Sequence, residues 1–177
     1  MTQILFCDPG RSTGLAWGHY GEATPFTLDG YAQVDGGLPG LLIWLNENQS
    51  TADSHVWWAE FYKPYSAIQT IDSMYPKYVE GALVTLGYMH DYDLDPARWR
   101  TSNYQYVVSG KNAAEKKRNQ LAWIKENHPE LYVTGKMVGQ SDADDVRSAI
   151  GHLLSIMRDK LGHRPTIEKY WGGDEPR

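Results

Sequence analysis

The chain places carboxylates where apolar runs end. In 4-ILFCDPGRSTGLAW-17 such a run delivers Asp8 into a Pro-Gly turn, and a second apolar run follows. In 56-VWWAEFY-62, Glu60 sits near the end of another. The stretch 141-SDADDVRSAIGHLL-154 opens with Asp142, Asp144 and Asp145 ahead of a helical pattern. At about 100° per residue Asp142 and Asp145 share a face, continued by Ala149 and His152, while Asp144 turns toward solvent. Each acid also has a purely structural use. Aspartate before Pro-Gly initiates turns, a glutamate suits a solvated strand edge, and acids favour a first helical turn, where Ser141 and Asp144 nearly make a capping box. Together, however, they form the oxygen-donor set that a hard divalent cation needs. Two Mg²⁺ ions about 4 Å apart clamp the attacking water and the leaving oxygen of a phosphodiester. His152 lies two turns beyond Asp145 on the same face, as a packed core histidine or as an assistant to that chemistry.

The elements that must position these groups follow from periodicity and breakers. Residues 3–7 predict a buried strand, Pro9-Gly10 breaks it, and Gly14–Trp17 begin a second strand of a hairpin. A third strand fits 25–34, a Gly/Pro loop 36–40, a helix 41–49 and a buried strand 55–61. Helices are predicted over 66–90, with Pro76 kinking or dividing it, over 111–127, and from Ser141 to about Leu161. Brief strands fit 91–95 and 131–133. The expected architecture is α/β, a mixed five-stranded sheet with helices on both faces. Residues 1–162 read as one domain and 163–177 as a flexible tail.

Bulk properties narrow the setting. The 177 residues suffice for one domain, and 41% hydrophobic content supports a folded core. A single cysteine, Cys7, excludes an internal disulfide and a cysteine-based zinc cluster. No secretory signal or membrane-length apolar run is visible, so a cytoplasmic setting with no membrane partner is expected. Net charge is −5, yet Arg98, Arg100, Lys111, Lys116, Lys117, Arg118 and Lys125 stand against Glu115 alone between positions 98 and 125. Such a stripe is either a solvated helix face or a local phosphate-binding surface. The seven Trp and twelve Tyr suit core packing first and base stacking second.

These residues resemble the RuvC-type Holliday junction resolvases, which have the RNase H fold. That family opens with a strand running into Asp-Pro-Gly and then Thr-Gly, as 8-DPGRSTG-14 does. Glu60 matches its strand-end glutamate. The segment 142-DADDV-146 matches its Asp-x-x-Asp helix through Asp142 and Asp145, with Asp144 on a position that needs no acid. The resemblance spans about residues 3–158. It implies a metal-dependent endonuclease that nicks branched DNA such as four-way junctions, with Asp8, Glu60, Asp142 and Asp145 as catalytic residues holding two Mg²⁺, or Mn²⁺ in their place. It implies DNA contacts from Lys116, with Lys111 and Lys117 nearby, and from Arg98 and Arg100. It also implies a homodimer, and so divergent a member suits a bacteriophage. One departure stands out: where the family carries a junction-opening aromatic, this chain has Lys63, with Phe61, Tyr62 and Tyr65 beside it. Two other readings share the fold, a nuclease of broader taste for flaps, forks or single strands, and an actin-like or sugar-kinase-type ATP-binding protein.

Overall fold

The computed structural model describes residues 1–60, 71–90, 93–94, 105–133 and 144–172. Three strands, β1 (Thr2–Asp8), β2 (Ser12–Gly21) and β3 (Thr24–Asp35), form an antiparallel meander, and β4 (Val56–Ala59) pairs parallel to β1. The sheet order is β3-β2-β1-β4. Strand side chains alternate between faces, and here the alternation divides two cores. Ile4, Phe6, Ala16 and Phe26 pack on one face beneath α5 (Asp144–Ser155), with residues of α4 (Ala113–Asn127) and α6 (Arg164–Trp171). Leu5, Cys7, Leu15, Val34 and Trp57 pack on the other, with α1 (Gly37–Glu47), the short α2 (Gln49–Ser54) and α3 (Ile71–His90).

Among the described residues the sheet has four strands, not the expected five. Leu94 makes a single parallel bridge to Trp57, and the Trp57 amide donates to the Asp93 carbonyl at 2.9 Å. That bridge is what the described residues show of the strand expected at 91–95. The strand expected at 131–133 is also replaced. Pro129 sits in the first turn of a 3₁₀ helix, Pro129–Leu131, where its missing N–H costs nothing.

The Gly/Pro loop expected at 36–40 is mostly helix. Gly36 and Gly37 take left-handed φ values of 93° and 60°, which turn the chain sharply into α1. Pro39 then falls in the first turn, where it is tolerated. Pro76 lies within α3 without ending it. The tail expected to be flexible is helical through Trp171. Thr166 is fully buried and its hydroxyl accepts the Phe26 amide at 2.7 Å, while the Tyr170 hydroxyl donates to the Phe26 carbonyl at 3.0 Å. Strand β3 is an edge, so α6 satisfies backbone groups that the sheet leaves open. Composition concealed this, because the apolar contacts come from only a few residues, Tyr170 and Trp171 among them.

Candidate active site

Strand register builds one line of residues across the sheet. Asp8 is the Cα partner of Gly14, and Gly14 is the partner of Gln33. On the other side of β1, the Glu60 amide donates to the Cys7 carbonyl at 2.9 Å, which sets Glu60 beside Asp8. Asp8 continues the Ile4–Phe6 side of β1, the face that α5 covers. The line therefore runs Gln33, Gly14, Asp8, Glu60.

Gly14 explains the Thr-Gly of the opening motif. A Cβ built there would stand 2.1 Å from the carbonyl carbon and oxygen of Asp145. Only glycine lets the first turn of α5 rest directly on β2, and this brings Asp145 into the line. The Gln33 carboxamide receives it. Its Nε2 donates to Asp145 Oδ2 at 2.8 Å and to Ser12 Oγ, and its Oε1 accepts the Val146 amide at 3.2 Å. Ser12 Oγ in turn donates to Asp35 Oδ1 at 2.6 Å.

Asp8, Glu60 and Asp145 line one cleft of about 340 Å³, together with Tyr106, Lys117 and Ser148. Their carboxyls are strained by burial and by one another. Burial, then the charge of Glu60, pushes Asp8 well above the ordinary carboxylate range, while Ser148 and His152 pull it down. Burial, then the charges of Asp145 and Glu80, pushes Glu60 up to about 7, against a hydrogen bond from Asp8. Burial also raises Asp145, against hydrogen bonds from Gln33 and Ser12. His152, fully buried, stacks on Phe6 at 4.3 Å between ring centroids and sets Nε2 at 3.3 Å from Glu60 Oε2.

Sequence reasoning thus brought three of its four carboxylates together. Asp142 lies outside the described residues, as do Tyr62, Lys63, Arg98 and Arg100. Asp144, expected to face solvent, lines the same cleft, where its half-exposed carboxylate bridges Lys117, at 2.5 Å, and Arg147. Burial opposes its ionisation, but those two cations win and hold it below its ordinary value. Lys117 stands on the cleft wall, Lys116 on an adjoining recess of about 380 Å³, and Lys111 is exposed before α4, its backbone amide donating to Glu115. Sequence reasoning missed Gln33, Ser148, Tyr106 and Glu80. Ser148 was findable, since it follows Asp145 by three residues on the same helical face. Gln33 was not, because strand register decides its place.

The donor chemistry suits a hard divalent cation. Buried oxygens of like charge gain most from a positive ion, which would offset the mutual repulsion that raises Asp8 and Glu60. Among the described residues no group of three acids, histidines or cysteines closes on one point as a complete metal cluster. Asp145 is drawn toward Gln33 and Ser12.

Comparison with known proteins bears on the fold. The chain is similar in structure to RuvC of T. thermophilus, solved in complex with a Holliday junction substrate, with a TM-score of 0.56 and 12% sequence identity. The match covers 92% of this chain and 98% of that one. No family model and no curated protein matches the sequence. At that identity the likeness is one of architecture: the described residues have a RuvC-like fold.

Proposed function

We propose that this protein is a metal-dependent endonuclease that nicks phosphodiesters in branched DNA, with four-way junctions as its foremost substrate. The observation that carries the reading is the convergence of Asp8, Glu60 and Asp145 in one buried cleft beside Lys117, on a fold shared with a junction-bound protein. Asp142 completes the set as the fourth ligand. Divalent ions held there, Mg²⁺ or Mn²⁺, would supply an acidified water and charge stabilisation at the phosphate.

The chain's own residues do the rest. Asp8 and Glu60 are delivered by parallel neighbouring strands, whose hydrogen-bonded backbones fix their spacing. Asp145 is anchored by the α5 backbone on Gly14 and by Gln33. His152 holds Glu60 from below, on the Phe6 ring. Lys117 and Lys116 would meet phosphates, giving affinity that falls with salt. Lys117 is half-exposed and bonds Asp144 through one of three ammonium donors, so the others stay open to a phosphate. Symmetric nicking of a junction needs two such clefts, so the working form is a homodimer.

The test is cleavage of labelled four-way junction, flap and linear duplex, with Mg²⁺ or with chelator, by the wild type and by Asp8→Asn. Metal-dependent junction nicking that Asp8→Asn abolishes is the expected result. Flap cutting with intact junctions would reassign the substrate, and equal cutting by Asp8→Asn would remove the carboxylate mechanism.

A further inference from the structure

Gln33 lies outside every recognisable motif, yet it is 2% exposed and uses both ends of its carboxamide. Its Nε2 donates to Asp145 Oδ2 at 2.8 Å, and its Oε1 accepts the Val146 amide at 3.2 Å. Those partners fix the amide's orientation, because the flipped group would set oxygen against carboxylate and N–H against N–H. The Val146 amide also belongs to the first turn of α5, where helical N–H groups lack intrahelical acceptors. One side chain from β3 thus seats both the helix start and the carboxylate that the helix delivers.

Its place is set by the sheet. Gln33 pairs with Gly14, and Gly14 pairs with Asp8. Asp145 crosses above the glycine between them, with Gln33 on one side and the acidic cleft on the other. The Gln33 amide is itself backed by Ser12, whose hydroxyl is tied to Asp35 at 2.6 Å.

We propose that Gln33 is the positioning residue for Asp145: by binding Oδ2 it fixes the carboxylate so that its remaining lone pairs are presented to a divalent cation in the cleft. The assignment rests on the metal-site reading above. Outer partners of this kind orient ligating carboxylates, and losing one typically weakens metal affinity or activity about 10–100-fold. A purely structural role, seating α5 on the sheet, would lower stability and leave the metal affinity of the folded protein unchanged.

The test uses Mn²⁺ as the probe, titrated calorimetrically into the full chain. Gln33→Glu keeps the shape and the acceptor for Val146 but exchanges the donor for a charge facing Asp145. Gln33→Leu removes both bonds. Asp8→Asn is the control, and circular dichroism establishes folding. The expected result is Mn²⁺ affinity about 10–100-fold weaker in each folded Gln33 variant, with DNA cutting returning to within a few-fold of wild type at saturating Mn²⁺. If Gln33→Leu does not fold, Gln33→Glu carries the measurement. Wild-type Mn²⁺ affinity in either folded variant, beside lost binding in Asp8→Asn, overturns the role of Gln33 and leaves the metal site standing. Absence of Mn²⁺ binding by the wild type, or equal binding by Asp8→Asn, overturns both.

Discussion

Glu60→Gln should make the metal-free protein more stable at neutral pH while abolishing its activity. The Glu60 carboxyl is raised from 4.5 to about 7, chiefly by burial and then by the charges of Asp145 and Glu80. Below about pH 4.5 folded and unfolded chains both hold this proton. Between about 4.5 and 7 the unfolded chain releases it and the folded chain keeps it, so stability falls as pH rises, and the loss is complete above about pH 7. A difference of about 2.5 pKa units corresponds to about 3 kcal/mol. Gln cannot ionise and keeps the shape. In chelator at about pH 8, Glu60→Gln should therefore melt roughly 6–12 °C above wild type, given about 2–4 °C per kcal/mol at this chain length. At about pH 5 the gap should shrink below about 1 kcal/mol. Saturating Mg²⁺ should close or reverse it, because the wild type gains binding energy that the variant has forfeited. Thermal melts across that pH range, with chelator and then Mg²⁺, measure all of this. A variant no more stable than wild type at about pH 8, or an advantage that persists at about pH 5, would refute the argument that Glu60 is ionised there at a cost.

Other substitutions test the surrounding geometry. Gly14→Ala places a methyl 2.1 Å from the Asp145 carbonyl, so α5 must shift. It should cost about 1–3 kcal/mol in chemical denaturation and about 100-fold in junction cleavage. Lys117→Gln should weaken DNA binding for every sequence alike and reduce the slope of log affinity against log salt by about 0.9, measured by fluorescence anisotropy. Thr166→Val leaves the Phe26 amide without its acceptor at 2.7 Å, and should lower stability by about 1–3 kcal/mol while cleavage stays within about two-fold of wild type.

Much of this site was legible because its signals are local. Asp8 and Glu60 end apolar runs, and a strand that ends in a carboxylate announces itself without knowledge of its neighbours. Helical geometry gave Asp144 and Asp145 different partners, Lys117 and Arg147 for the former and Gln33 for the latter, but it did not foresee that both line the cleft. What escaped is non-local. Gln33 acquires its role only when β3 pairs with β2 in a particular register, and the turn between them carries no sign of it. Glu80 acts on Glu60 from a helix on the far side of a long intervening segment. The chain end was misjudged for a related reason. A short, charged segment has the composition of a free tail, and the partners that order α6, the open edge of β3 among them, are distant in sequence. His152 was read as either core or functional, and it occupies both places, stacked on Phe6 and in contact with Glu60. Among the described residues part of the aromatic surplus is structural: Trp57 is fully buried, and Trp123 stacks on Trp171 at 5.6 Å to join α4 with α6.

Asp8, Glu60 and Asp145 are proposed to hold divalent ions at the end of this cleft. Anomalous diffraction from crystals of the full chain soaked in Mn²⁺ tests that role most directly. Density is expected at coordination distance from Asp8 and Glu60, with Asp145 turned to the same centre and Gln33 still bonded to its outer oxygen. Well-ordered carboxylates with no anomalous peak among them, or Mn²⁺ bound only elsewhere on the surface, would contradict it.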